Sequence, residues 1–225
     1  MLVLLDTADL KEIRKLYDLF PIDGVTTNPS ILKKENQSPM ERLKSIKAVL
    51  PAGAQLHAQV ISETAEEIVK EARHVAKALG EDVFIKIPVS AQGLKATQIL
   101  SAEGLNVTAT AVFSQMQAFL AAKAGAKYVA PYVNRLDNMG SDGVRVTRDI
   151  QEMFTAHKAG CGILAASFKN AQQVYELCKS GIGAVTVAPD ILDALIKHPA
   201  TDKATTDFKN DFCLLAGEGK TMLDF

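Results

Sequence analysis

The sequence predicts a (β/α)₈ TIM barrel, a closed ring of eight parallel strands each followed by a helix, in a single domain over residues 1–225. Short apolar or β-branched runs alternate with longer amphipathic stretches. There are eight such runs, and most are too apolar to leave one face in water, which is typical of parallel strands covered by helices. The length fits one domain that folds without disulfide bonds.

The eight strand candidates follow one another along the whole chain. They lie at residues 2–6, 24–27, 55–60, 83–88, 106–111, 128–133, 161–167 and 184–188. Eight units in this length favour closure into a barrel over an open doubly wound sheet, which is the alternative. Neither G-x-G-x-x-G after a strand nor G-x-x-x-x-G-K-S/T is present, so no nucleotide cofactor is indicated.

Helix signals lie between the strands. Thr64, followed by Glu67, is typical of a capping box, and apolar residues then recur with a period near 3.6 until Gly80. A second helix is predicted over residues 114–123. Its side chains available for packing are Met116, Phe119, Leu120 and Ala122.

The final segment, about residues 199–225, is not needed for the eighth unit and is predicted to be an extra C-terminal helix. Its apolar stripe consists of Phe208, Phe212, Leu214 and Leu215. Two interpretations are open: the helix caps its own barrel, or it packs on a neighbouring subunit of a homo-oligomer.

Composition and charge indicate which macromolecular partners and which cellular compartment to expect. A net charge of −1 gives no field that would attract nucleic acid or an anionic membrane. No uninterrupted apolar run approaches the ~18 residues of a membrane span. Asp6 comes too early for a signal-peptide core, and the three cysteines contain no C-x-x-C. We expect a cytoplasmic protein with no nucleic-acid or membrane partner.

In a barrel of this kind the active site lies at the carboxyl ends of the strands. The polar residues predicted there are Asp6, Thr26, Thr27, Asn28, Gln59, Lys86, Thr108, Thr110, Tyr132, Asn134, Arg135, Ser167 and Lys169. The set converges around one lysine, Lys86.

Lys86 is the strongest chemical signal. Strand alternation places Lys86 and Phe84 on one face and Ile85 and Ile87 on the other. Burial of the amine is costly unless it points into a polar pocket, and it lowers the lysine pKa, which a nearby Arg135 would lower further. A neutral amine attacks a ketone, whereas a protonated amine does not. The alternative is a lysine that extends from the strand end into solvent.

The remaining candidates are suited to substrate binding. A guanidinium at Arg135, a hydroxyl at Ser167 and an ammonium at Lys169 suit a phosphate monoester, although Lys169 also fits an ordinary surface charge. Asp6 either orients substrate hydroxyls or caps the following helix. Thr26 is expected to contact substrate.

The histidines show no metal-ligand spacing, and no Cys/His/Asp cluster resembles a zinc or iron site. We therefore expect neither a metal nor a cofactor. His57 precedes Gln59 by two residues on the same strand face and is interpreted as a packed, hydrogen-bonded side chain.

Five segments together resemble the transaldolase superfamily. They are DT at 6–7, GVTTNPS at 24–30, IKIP at 85–88, YVAPYVNR at 128–135 and AAS at 165–167. The similarity covers essentially the whole chain. It is greater to the fructose-6-phosphate aldolase subfamily than to small transaldolases, which typically carry glutamate, phenylalanine and arginine where this chain has Gln59, Tyr132 and Lys169.

The resemblance implies roles for individual residues. Lys86 is the implied Schiff-base lysine. Gln59, Thr110 and Tyr132 are the implied trio that holds the catalytic water, with Tyr132 as the proton carrier.

The same resemblance implies that Asp6 and Asn28 face the reacting hydroxyl and the Schiff-base region. It also implies a phosphate site at Arg135 and Ser167, with Lys169 nearby. Members form decamers of two pentameric rings with C-terminal helices packed on neighbours, which would explain the apolar tail.

The expected activity is that of a class I aldolase that cleaves fructose 6-phosphate reversibly to dihydroxyacetone and glyceraldehyde 3-phosphate. One alternative is a transaldolase, which passes the dihydroxyacetone unit to another sugar phosphate. The other is a phosphate-binding barrel without covalent chemistry, such as a sensor or an isomerase.

Overall fold

Eight parallel strands close into a barrel in chain order, and the computed structural model describes all 225 residues. The first strand pairs with both the second and the eighth, which closes the ring. The strands are β1 Leu2–Asp6, β2 Gly24–Thr26, β3 Gln55–Gln59, β4 Phe84–Pro88, β5 Asn106–Val112, β6 Tyr128–Pro131, β7 Gly162–Ala165 and β8 Ala184–Val187. The predicted (β/α)₈ fold class is confirmed.

Helices follow every strand and form the outer layer. They are α1 Leu10–Leu19, α2 Pro29–Leu32, α3 Pro39–Val49, α4 Ala65–Leu79, α5 Ala91–Ala102, α6 Gln115–Lys123, α7 Val133–Asn138, α8 Gly143–Ala156, α9 Ala171–Lys179, α10 Pro189–Ile196 and α11 Pro199–Ala216, with 3₁₀ turns at Lys33–Glu35 and Met222–Asp224. A bilayer span would need a longer and more apolar helix than any of these.

The starts of two helices refine the sequence predictions. Asp9, not Asp6, caps α1, because the Asp9 side chain accepts hydrogen bonds from the backbone of Lys11 and Glu12. Asp6 is therefore free for the site. Thr64 caps α4 as predicted, but only half of the capping box is present, because the Glu67 carboxylate accepts from the Thr64 hydroxyl.

The strands divide their side chains between two regions. Alternate residues such as Leu5, Ile85 and Val185 point outward into one large apolar core packed against the helices. The residues between them point into the barrel, where a small apolar cluster around Leu4 and Leu164 lies at the amino-terminal end. Above this cluster the interior holds most of the buried polar side chains, together with Phe84, which stacks on His57.

The packing predicted for α6 is only partly right, because Ala122 packs against the apolar core whereas Met116 and Leu120 are exposed. The buried residues of this helix are Ala118 and Ala121, whereas Met116 is 58% exposed and Leu120 is 47% exposed. Small side chains face inward because they let the helix approach the barrel closely, and the large apolar side chains remain on the outer surface.

The C-terminal helix is present, but α11 buries none of its own residues. Phe208, Leu214 and Leu215 are all more than two-thirds exposed, at 71%, 87% and 83%. The predicted apolar stripe is therefore not covered by the chain's own barrel. The helix ends at Ala216, where Gly217 takes a positive φ of 101°.

Candidate active site

A cavity of about 320 Å³ opens at the carboxyl ends of the strands. Its eleven lining residues are Asp6, Asn28, Pro29, Ser30, Gln59, Lys86, Ala111, Tyr132, Arg135, Ala166 and Ser167. Three larger cavities, of about 500, 760 and 470 Å³, are not lined by Lys86. Most of the polar side chains predicted from the strand ends are thus brought to one site.

Lys86 reaches this cavity from inside the barrel and is only 5% exposed. Its Nζ donates a hydrogen bond of 2.8 Å to the carbonyl of Thr27. Burial lowers the pKa of the Lys86 amine, and the Asp6 carboxylate opposes part of this effect. The alternative of a lysine extended into solvent is therefore wrong.

Arg135 does not contribute to this shift, contrary to the sequence prediction. The residue is exposed on α7, and its Cζ lies 4.8 Å from the centroid of the Tyr132 ring. The guanidinium therefore stacks on an aromatic ring at the cavity wall. The lowered pKa of Lys86 is a consequence of burial.

Asp6 is held from behind by one buried hydroxyl, which in turn contacts a second. Thr26 donates to Asp6 Oδ1 over 2.7 Å, and the Oγ1 atoms of Thr26 and Thr186 are also 2.7 Å apart. Thr26 is fully buried and does not line the cavity, so its contact is with Asp6. Asn28, by contrast, lines the cavity and also caps α2 through Ile31.

The trio implied by the resemblance is partly assembled. The Tyr132 hydroxyl lies 2.9 Å from Thr110 Oγ1, and Gln59 lines the same cavity as Tyr132. Thr110 itself is fully buried, so it reaches the cavity through the phenol. The edge of Phe113 packs on the Tyr132 ring, with centroids 5.5 Å apart.

Tyr132 does not continue strand β6, although residues 128–133 were predicted as one strand. The chain bends after Pro131, Tyr132 makes an isolated parallel bridge to Ala166, and α7 begins at Val133. The bend places Arg135 on a short helix above the strand ends. The apolar sequence YVAPYV is typical of one continuous strand, so the sequence does not predict this change of direction.

The predicted phosphate site is only partly assembled. Arg135 and Ser167 line the cavity, but Lys169 is exposed and does not. The reason is local: the chain turns at Ser167, which has a φ of 62°, and the backbone N–H of Lys169 then donates to Gln173 at the start of α9. The prediction that Lys169 lies in this site is not supported by its position.

Sequence reasoning missed several lining residues, of which Ala111 is the most unusual. Ala111 takes a positive φ of 56° where the register of β5 against β6 shifts. Left-handed backbone costs a non-glycine residue on the order of 1 kcal/mol or more and is found preferentially at functional sites. Nothing in the sequence signals this strain. Ser30 lies beyond the predicted end of β2, and Ala166 carries no polar group, so neither stood out in the sequence.

His57 forms the floor beneath the lysine and confirms its interpretation as a packed histidine. It is fully buried, its two ring nitrogens lie 3.0 Å from Thr108 Oγ1 and Gln55 Oε1, and its ring stacks on Phe84. Burial, together with the charge of Lys86, lowers the pKa of His57 well below 6.5. The histidine is therefore a neutral, hydrogen-bonded support.

Comparison with known proteins places the whole chain in one group. The family described as transaldolase/fructose-6-phosphate aldolase matches residues 3–222. A protein named probable transaldolase from Clostridium botulinum is 42% identical over 212 residues, 94% of this chain and 98% of that protein. A probable fructose-6-phosphate aldolase from Streptococcus pneumoniae is 38% identical over 213 residues, 94% of this chain and 96% of that protein. A probable transaldolase from Methanococcus maripaludis is 42% identical over 208 residues, covering 92% and 95%.

Proposed function

The chain belongs to the transaldolase/fructose-6-phosphate aldolase family, and from this premise we propose that it is a Schiff-base aldolase that cleaves fructose 6-phosphate reversibly. The products are dihydroxyacetone and glyceraldehyde 3-phosphate. The observation that supports this proposal is a lysine, Lys86, that is 5% exposed yet lines the cavity at the strand ends.

The first step requires an uncharged amine. A lysine in water is neutral in about one molecule in 2,500 at pH 7, and burial of Lys86 raises that fraction by lowering its pKa. The amine attacks the C2 ketone, the tetrahedral intermediate loses water, and an iminium forms on Nζ. The hydrogen bond to the Thr27 carbonyl aims the amine from the barrel wall.

The second step breaks the carbon chain. Removal of the proton from the C4 hydroxyl releases glyceraldehyde 3-phosphate as the C3–C4 bond breaks, and the electron pair of that bond passes into the iminium to give an enamine. Asp6 faces this hydroxyl from the end of β1, and Tyr132 moves protons from the opposite wall, hydrogen-bonded to Thr110. Protonation of the enamine and hydrolysis by water then release dihydroxyacetone and regenerate Lys86.

The phosphate end of the substrate belongs at Arg135 and Ser167, which follow β6 and β7. A guanidinium and a hydroxyl suit the oxygens of a phosphate monoester. Asp6 ends β1 and Asn28 follows β2, and β8 lies between β1 and β7 in the ring. A ketose 6-phosphate would then span the cavity with its carbonyl near Lys86.

Borohydride trapping tests the covalent step. Treatment of the protein with dihydroxyacetone and borohydride is expected to add the reduced three-carbon unit to Lys86, read by peptide mass spectrometry. Lys86→Met is the control and should gain no mass. An unmodified Lys86 in the wild-type protein would contradict the proposal. It would instead favour a phosphate-binding barrel without covalent chemistry, such as a sensor or an isomerase.

A transaldolase is the second candidate, because two of the relatives above carry that name. The Schiff base is the same, and the fate of the enamine differs. We propose that the Tyr132 phenol favours release, because it can pass a proton to the enamine whereas phenylalanine cannot.

A coupled assay of fructose 6-phosphate cleavage, with and without erythrose 4-phosphate, separates the two activities. The wild-type protein is expected to cleave without the acceptor, and Tyr132→Phe should raise the ratio of transfer to cleavage. Tyr128→Phe is the matched control, since this phenol lies on the barrel floor and accepts from Gln55. An unchanged ratio in Tyr132→Phe would remove the basis for preferring the aldolase.

We also propose that the protein is a homo-oligomer, in which the exposed stripe of α11 packs on a neighbour. The support is the exposure of Phe208, Leu214 and Leu215, which form a surface that isolated soluble monomers rarely leave open. Sedimentation of the wild-type protein and of Leu214→Glu/Leu215→Glu is the test. A monomer in both would contradict the proposal.

A further inference from the structure

Thr186 is a polar residue in an otherwise apolar strand, and the reaction proposed above gives it no role. It is 2% exposed in β8, whose sequence is AVTV. Strand β1 lies between β8 and β2, with Leu4 paired to Thr186 and Asp6 paired to Thr26. The register thus brings Thr186 and Thr26 together beneath Asp6.

Proton counting fixes the direction of the hydrogen bonds in this group. An ionised Asp6 carboxylate can only accept, and each threonine hydroxyl has one proton to donate. Thr26 gives its proton to Asp6 Oδ1 over 2.7 Å. Because that proton is used, the 2.7 Å contact between the two threonines must be a donation from Thr186 to Thr26. The three residues form a chain that ends on the carboxylate.

We propose that Thr186 is a positioning residue of the reaction, which acts through Thr26 to hold the Asp6 carboxylate toward the cavity. The inference rests on the proposed function, in which Asp6 faces the hydroxyl that loses its proton. Thr186 does not line the cavity, so it reaches the substrate only through this chain.

The physical effect comes from cooperativity and orientation. A hydroxyl that accepts one hydrogen bond donates a stronger one, so Thr186 strengthens the bond from Thr26 to Asp6. Asp6 is also attracted by Lys86, whose pKa it raises. The hydroxyl chain opposes movement of the carboxylate from its place at the substrate toward the amine.

Replacement of the hydroxyl by a methyl group tests this role with little change of shape. Thr186→Val is expected to lower kcat about tenfold while KM stays within about twofold, because one hydrogen bond behind the site is lost and no substrate contact is removed. Thr186→Ser should recover most of kcat. Thr97→Val is the matched control, since Thr97 is equally buried but donates to Gly93 within α5; its kcat should not change.

A double-mutant cycle separates positioning from a general structural effect. In an Asp6→Ala background, Thr186→Val should cause no further loss of kcat beyond about twofold, because the carboxylate it positions is gone. An unchanged kcat in Thr186→Val, a tenfold loss in both backgrounds, or a loss confined to KM would each overturn the inference. Thr186→Ala serves the same cycle if Thr186→Val does not fold.

Borohydride trapping and the kcat of Thr186→Val together separate a failure of the aldolase proposal from a failure of the positioning role of Thr186. A wild-type protein that gives no borohydride adduct on Lys86 fails the proposed function. A wild-type protein that gives the adduct, with a Thr186→Val variant of full kcat, fails only the positioning role.

Discussion

The outward and inward faces of the same eight strands build two different regions. Outward residues such as Leu5, Ile85 and Val185 are fully buried and form an apolar layer against the helices. Inward neighbours such as Lys86 and Thr186 are almost as buried, yet they are polar. The difference shows that burial alone does not decide composition here, because alternation places adjacent residues in the apolar layer or in the polar part of the interior.

The two regions differ in how their buried side chains are stabilised. The outward layer needs no hydrogen bonds and gains roughly 25 cal/mol for each Å² of apolar surface removed from water. In the interior, every buried polar side chain has a partner, and the unpartnered buried polar atoms of the chain are Tyr17 Oη and Arg42 Nε. Both of these lie on helices, outside the barrel. The buried polar side chains of the interior are therefore all hydrogen-bonded, in small separate groups within which a single deletion affects the neighbours.

The largest expected effect comes from moving charge to the outward face. Ile85→Lys places an ammonium one residue from Lys86 but in the apolar layer, where it has no partner, so the free energy of unfolding should fall by about 4 kcal/mol or more. Denaturant unfolding measures this, with Ile85→Val as the control at about 1 kcal/mol. A loss as small as that of the control would contradict the division into two regions.

Exchanging valine and threonine at two neighbouring positions of β8 compares the cost of a change in polarity on the two faces with almost no change in shape. Val185→Thr introduces a hydroxyl into the apolar layer and should cost about 1–3 kcal/mol, because the hydroxyl has no acceptor there. Thr186→Val removes a hydroxyl from the network and should cost less than Val185→Thr. Thermal unfolding of both variants gives the order. A Val185→Thr variant as stable as the wild-type protein would contradict the apolar character of the outward face, and a Thr186→Val variant more stable than the wild-type protein would show that the inward face also prefers apolar side chains.

The pH dependence of stability reports on the inward histidine. Because the pKa of His57 is lowered well below 6.5 in the fold, the unfolded chain binds a proton below pH 6.5 that the folded chain does not. Stability therefore falls as the pH falls below 6.5, and His57 adds up to about 1.4 kcal/mol per pH unit to that slope. His57→Gln should show a shallower slope in denaturant titrations between pH 6.5 and 5. His74→Gln, at an exposed position, should retain the wild-type slope; equal slopes in all three proteins would refute the assignment.

The smallest expected effect on stability is at the centre of the site. Lys86→Met removes the hydrogen bond to Thr27 but also removes the cost of burying an amine, so the free energy of unfolding should change by no more than about 1 kcal/mol. The same variant should form no adduct. A loss of several kcal/mol would mean that Lys86 supports the fold as well as the chemistry.

Much of this division can be predicted from the sequence. The apolar runs place the strands, and Lys86 stands out because a charged residue inside such a run needs a polar pocket. The strand ends then identify Asp6, Gln59 and Arg135, all of which line the cavity. These predictions succeed because strand period and barrel topology are local and regular.

The rest depends on three-dimensional packing that local pattern does not encode. The approach of α6 to the barrel selects Ala118 and Ala121 for its buried face, although Met116 and Leu120 are more apolar. In the sequence, Thr186 looks like any other residue of a buried strand. Only the register of β8 against β1 places it beside Thr26. The outward turn after Ser167, which leaves Lys169 exposed, likewise follows from a backbone angle and not from residue type.

The left-handed backbone at Ala111 and Ser167 limits how this cavity can be redesigned. With φ values of 56° and 62°, both wall positions accept glycine or asparagine readily but disfavour valine, isoleucine and threonine, whose branched Cβ clashes in that conformation. Libraries that aim to enlarge or reshape the substrate range therefore gain little by randomising these two codons. Ser167→Gly would relax the main chain while it deletes the hydroxyl, so the variant is expected to be more stable but to bind the proposed phosphate group more weakly.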